Sequence, residues 1–210
     1  YKRQGLNSPD YLSVMYANKT RVIAGVQLAF IDALAVAGIG VLLFPILKKQ
    51  NEAGAFGYAG IRIAEFPVLL LWLLSPLLLI TLSQEYGNAA VSDVTSFQAL
   101  SAVLIGLRFW SWRLVYIING VATLLLASLL FQSRLVPRSL SVLGLIGGVA
   151  LLAGTSLAMF GLFDVDQGLG MLAVLPGGLF ELILPIWLFA KGFNISENVA
   201  KSVRTNASVN

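Results

Sequence analysis

Gly60-Ile61-Arg62-Ile63-Ala64-Glu65-Phe66-Pro67, followed by the apolar run 68–82, carries two opposite charges into a stretch of membrane length. Arg62 and Glu65 stand three residues apart, which places them on one face of a helix. Ionisable groups at membrane depth are costly, so they face other helices, a partner or a cavity. These two residues are therefore the first candidates for a site.

The composition around them agrees. The chain has 210 residues, of which 58% are hydrophobic and 11% charged, with a mean hydropathy of +0.85. A soluble domain carries about 25% charged residues, so this is a membrane chain. It contains no cysteine and no histidine. That excludes disulfides, thiolate chemistry, the usual general base and the usual zinc and haem ligands. The formal charge of +4 is spread along the loops, which reads as topology and not as a nucleic-acid footprint.

Outward from the opening stretch, residues 1–20 are polar and turn-rich and hold no signal-peptide pattern. The first span, 22–47, has Gly25, Ala29, Asp32, Val36 and Gly40 at three- and four-residue steps. A face of mostly small residues packs closely on another helix, so Asp32 is expected to point inward. A basic link, 48–58, leads to the second span, 59–82, where Pro67 and Pro76 free the carbonyls of Ile63 and Trp72. Ser92 or Asp93 is a candidate helix cap. The interval 83–112 then ends in Arg108-Phe109-Trp110-Ser111-Trp112-Arg113. Tryptophan beside arginine is the composition of a membrane interface, so Arg108, Trp110, Trp112 and Arg113 are read as anchors of an interfacial helix that runs into span three.

Span three, 114–131, contains Asn119 and is joined by the short link 132–138 to span four, 140–163. So short a link makes them antiparallel neighbours. Gly147, Ala150, Gly154, Ala158 and Gly161 form a packing stripe on span four. The acidic turn 164–168 opens span five, 169–190, with Pro176-Gly177-Gly178, Glu181 and Pro185, and Lys191-Gly192 stop it. The expected architecture is an all-α integral membrane helix bundle of five spans over 21–191. An extracytoplasmic segment, 1–20, precedes it and a cytoplasmic polar tail, 192–210, follows.

Basic residues Lys48, Lys49, Arg134, Arg138, Lys191, Lys201 and Arg204 fall on one side of this topology, while the other side holds Glu85, Asp93, Asp164 and Asp166 together with the basic Lys2, Arg3, Lys19, Arg21, Arg108 and Arg113; cytoplasmic loops carry the excess of lysine and arginine. That places the C-terminus in the cytoplasm and, with five spans, the N-terminus outside. A further helix before Tyr1 is the simplest way to reconcile an outside N-terminus with the missing signal.

Arg62-Ile63-Ala64-Glu65, Val136-Pro137-Arg138-Ser139-Leu140-Ser141-Val142-Leu143-Gly144, and Glu181 with Trp187-Leu188-Phe189-Ala190-Lys191-Gly192 together resemble the bacterial membrane proteins grouped as domain of unknown function 4386. The resemblance covers most of the chain from the first span onward. It implies a six-helix fold in the bacterial cytoplasmic (inner) membrane, and no assigned activity.

Asp32 and Glu181 fall near mid-depth when counted at about 1.5 Å per residue. With Arg62 and Glu65 they form an expected polar cluster, completed by Glu181 or Asp32. Two readings of it stay open: a structural bridge, or a proton or substrate site of the kind that transporters build at broken helices. The first makes the chain a non-catalytic subunit or scaffold of a membrane assembly, set in lipid with other membrane protein subunits. The second makes it a small proton-linked carrier, for which a homodimer is expected. An intramembrane enzyme fits least, because an aspartyl site needs two facing acids and a metal site here would have to be all-oxygen. No cofactor, no metal and no nucleic-acid partner is expected.

Overall fold

The computed structural model describes residues 11–87 and 94–194. The candidate cap at Ser92 or Asp93, Lys201 and Arg204, and most of the expected terminal segments lie outside the described residues. Regular structure among the described residues is helical throughout: α1 Tyr11–Ala17, α2 Lys19–Leu47, α3 Glu52–Tyr86, α4 Val94–Ser133, α5 Arg138–Met159, a 3-10 helix Gly168–Ala173 and α6 Leu175–Lys191. Five segments, α2 to α5 and Gly168–Lys191, are long and apolar enough to cross a membrane.

The element ends follow from local chemistry. The Asn51 side-chain oxygen accepts the Gly54 N–H at 2.8 Å, which caps α3 in the usual N-terminal manner, and Glu52 in its first turn complements the helix dipole. The second span therefore starts at Glu52 and not at Ala59. Residues 94–113 contain no proline and a single glycine, Gly106. Nothing breaks the helix there, and the expected interfacial segment is joined to span three in one 40-residue helix. In span five Pro176 stands in the first turn of α6, where its missing N–H costs least. The α-helix starts there, preceded by the 3-10 turn. Gly192, at φ 68°, ends α6 with its N–H on the Leu188 carbonyl.

The chain forms two compact units, Tyr1–Gly38 with Ala64–Val115, and Ile39–Ile63 with Tyr116–Asn210. In the first, Leu12 of α1 is buried with Leu79 and Leu82 of α3. The Ser83 hydroxyl on α3 donates to the Leu12 carbonyl and accepts the Tyr16 N–H at 2.9 Å. A second cluster joins Ala33, Leu69 and Val115, with Phe66 and Trp112 packed on it.

The second unit has the larger core, including Leu47, Tyr58, Leu126, Leu130, Leu135, Phe180 and Leu184. Glycines bring its backbones together. A Cβ on Gly147 of α5 would lie 2.5 Å from the Gly177 nitrogen and 2.6 Å from its Cα, so α5 and α6 touch backbone to backbone. A Cβ on Gly148 would lie 2.6 Å from Leu124 Cγ, and one on Gly120 would lie 2.7 Å from Leu152 Cγ, so α4 and α5 meet with leucine side chains seated over glycines. Of the small-residue stripe expected on span four, Gly147 and Gly154 pack closely, whereas α5 ends at Met159 and Gly161 lies beyond it at φ 77° with nothing within 4 Å of a Cβ.

Overpacking a close contact costs about 1–3 kcal/mol, and here the obstacle is backbone, which cannot rotate aside. Gly147→Val should lower the melting temperature in detergent by several degrees, whereas Gly178→Ala, where a Cβ meets nothing within 4 Å, should leave it unchanged. Equal melting of both variants would contradict the α5–α6 contact.

Candidate functional site

The second unit gathers polar side chains from three helices. Arg62 of α3 is buried at 7% exposure, and its guanidinium Nη2 lies 3.8 Å from Glu181 Oε1 of α6. The same carboxylate oxygen accepts a hydrogen bond from Asn119 Nδ2 of α4 at 3.0 Å. Thr123, one turn further along α4, donates its hydroxyl to Asn119 Oδ1 at 3.0 Å and so fixes which way the amide faces. Arg62 Nε also donates to the Tyr58 hydroxyl at 3.3 Å, with the guanidinium carbon 5.7 Å from that ring's centroid.

Helix starts and close packing place these groups. Because α3 begins at Glu52, Arg62 stands ten residues in, about 15 Å along the axis. Glu181 stands ten residues before the end of α6, also about 15 Å. Counted from the helix ends that adjoin Lys48, Lys49 and Lys191, the two side chains therefore stand at matching distances. Gly40 makes room on α2: a Cβ there would lie 2.7 Å from Arg62 Cβ and 3.3 Å from Ala59 Cα. The guanidinium is sealed while the Glu181 side chain stays 45% exposed.

Of the four residues expected to cluster, Arg62 and Glu181 come together in the second unit. Glu65, one turn further along the same unbroken α3 and assigned to the first unit, is buried at 1% exposure. Asp32, also in the first unit, is exposed, contrary to the inward position expected of it. The buried line of α2 there runs through Ala33, with Ala29 and Val36 half-buried. Ala33 is one residue, about 100° of helix rotation, away from Asp32.

The expected interface anchors also divide. Trp110 is 49% exposed, but Arg113 is buried at 2%, with its guanidinium 4.7 Å from the Phe109 ring centroid. Trp112 lies 4.9 Å from Trp72 between ring centroids. Arg108 covers the Trp72 ring at 4.0 Å and donates to the Trp72 carbonyl at 3.5 Å, the carbonyl that Pro76 deprives of its helical donor. Arg108 and Trp112 thus brace α3 beside its second proline.

Asn119 was legible only as a polar residue in a span, and Thr123 and Tyr58 were missed. The signal was present: Asn119/Thr123 and Tyr58/Arg62 are i, i+4 polar pairs inside apolar runs, neighbours on one helix face.

Five helical segments long and apolar enough to cross a membrane, with a charged pair set among them, define a multi-helix integral membrane protein. A family model described as domain of unknown function (DUF4386) matches residues 2–192, and the chain belongs to that family. No curated protein and no solved structure matches it.

Removing one member of a charge pair leaves the other uncompensated. Arg62→Leu and Glu181→Gln should each reduce the folded yield in mild detergent, and the double variant should regain part of the loss. Additive losses in the double variant would show that the 3.8 Å approach carries no coupling.

Proposed function

We propose that the chain is a non-catalytic subunit or scaffold of a membrane assembly in the bacterial cytoplasmic membrane, with its C-terminus on the cytoplasmic side. The exposure of Asp32 carries this reading. It stands 13 residues from the start of α2 and 15 from its end, near the middle of a spanning helix. Leu28, Ile31 and Leu34 around it are exposed as well. A carboxyl group at that depth is costly against lipid, and a helix from another chain that donates a hydrogen bond to it removes the cost. Gly25 and Gly38 have open space around the position of a Cβ, which lets a second backbone approach. Of the spanning segments, α2 and the last are the least buried, at 17% each.

Gentle extraction from the native membrane should yield a particle several times the 22.5 kDa of the chain, with stoichiometric partners or a second copy. Asp32→Leu should release the chain from it while leaving its own melting temperature unchanged. A particle of single chains in the wild type would sink the assembly reading.

A second reading, a small proton-linked carrier, is favoured by one observation: Glu181 is open on one side and bonded on the other by Arg62 and Asn119. In proteoliposomes with an imposed pH gradient, wild-type protein would then dissipate the gradient faster than Glu181→Gln. Equal rates would rule it out.

A further inference from the structure

One end of the second unit collects the positive charge. Gln50 and Asn51 of the α2–α3 link line one pocket together with Leu129, Gln132 and Ser133 at the end of α4. The Asn194 N–H after α6 donates to the Leu135 carbonyl of the α4–α5 link at 2.9 Å. Three chain connections therefore meet there, and they carry Lys48, Lys49, Arg134, Arg138 and Lys191 against the single acid Glu52.

Within this end Arg134, Val136, Pro137, Arg138 and Asn194 line a cleft of about 210 Å³, several times the roughly 30 Å³ that one water occupies. None of the five is acidic, and among the described residues neither guanidinium is paired with a carboxylate. Arg138 is steadied by the Phe131 ring, 5.2 Å from its guanidinium carbon. Pro137 precedes α5 without giving it a side-chain cap, so the first turn adds its partial positive charge to the same place. Two guanidinium forks, an amide and an apolar wall suit an oxygen-rich anion that continues into something apolar. Basic pockets between spanning helices at the membrane surface take lipid headgroups of that kind.

We propose that the Arg134–Arg138 cleft is a binding site for a phosphate anion, offered as the phosphodiester of an anionic lipid headgroup or as a soluble phosphate. Both guanidinium groups contact the phosphate oxygens, and the Asn194 side chain completes the ring of donors.

The test uses the whole chain in neutral detergent with dioctanoyl phosphatidylglycerol, the corresponding phosphatidylcholine and inorganic phosphate as probes, and native mass spectrometry as readout. The variants keep the fold in view. Arg134 has φ 55°, a conformation that glycine adopts freely, so Arg134→Gly removes the guanidinium without adding strain. Arg138→Gln changes only the first, exposed residue of α5.

Wild-type protein should retain phosphatidylglycerol over phosphatidylcholine, and the double variant should retain it about tenfold less at unchanged melting temperature. If inorganic phosphate alone binds with the same dependence on the two arginines, the site stands and its ligand is a soluble phosphate. Should the double variant fold poorly, Arg134→Gly alone is compared with wild type and must show a several-fold loss. Retention of the anions by the variants at the wild-type level, or a wild type that neither prefers phosphatidylglycerol over phosphatidylcholine nor binds inorganic phosphate, overturns the site.

Discussion

In lipid, helices gain little from hiding apolar side chains from one another, because the acyl chains are as apolar as leucine. What holds this chain together is close contact, and close contact depends on glycine. The approach of Gly147 to the Gly177 backbone, and the seating of Leu124 and Leu152 over Gly148 and Gly120, place α4, α5 and α6 within reach of one another. The Asn119–Glu181 hydrogen bond between α4 and α6 needs that proximity. So does Arg62, whose own helix is admitted by Gly40. The polar site is a consequence of the glycine contacts, and it adds direction where dispersion between apolar faces offers none.

Within the second unit α5 serves as a ruler. Its 22 residues span about 33 Å, close to the thickness of the hydrocarbon layer. Arg138 stands at one end. Beyond the other is the acidic turn, where Asp166 accepts the Tyr116 hydroxyl at 3.3 Å and Asp164 accepts the Gln167 side-chain amide at 3.2 Å. The charge separation read from the loops thus has a length in the fold. At 35 and 40 residues, α3 and α4 are longer than the layer requires, and such an excess is taken up by tilt or by running past the hydrocarbon.

The number and order of the spans were legible because a run of about 20 apolar residues fits little besides a bilayer crossing. The stop at Gly192 and the packing stripe of α5 were legible for a related reason, since each rests on a residue type with one dominant use. Helix ends were less so. Asn51 capping α3 lies in a stretch whose lysines, glutamine and glycine look like a loop, and the unbroken α4 crosses a tryptophan and arginine cluster that elsewhere marks a boundary. Arg108 and Trp112 bracing Trp72 depend on which face of α4 meets α3 beside Pro76, and composition does not contain that angle.

Asp32 and Glu181 make the same point about the site. Each is a lone carboxylate near the middle of an apolar run, and the two are equivalent by depth, hydropathy and spacing. Their fates separate through rotation about the helix axis. The Glu181 face of α6 meets Asn119 and Arg62, whereas Ala33 occupies the buried line of α2 and leaves Asp32 exposed. A small-residue face is a weak guide to that rotation, because Gly25 and Ala29 suit a partner helix from another chain as well as one from the same chain. The two carboxylates therefore ask different questions of the bilayer. Glu181 has its countercharge within the chain, whereas Asp32 lacks a described neighbour of that kind.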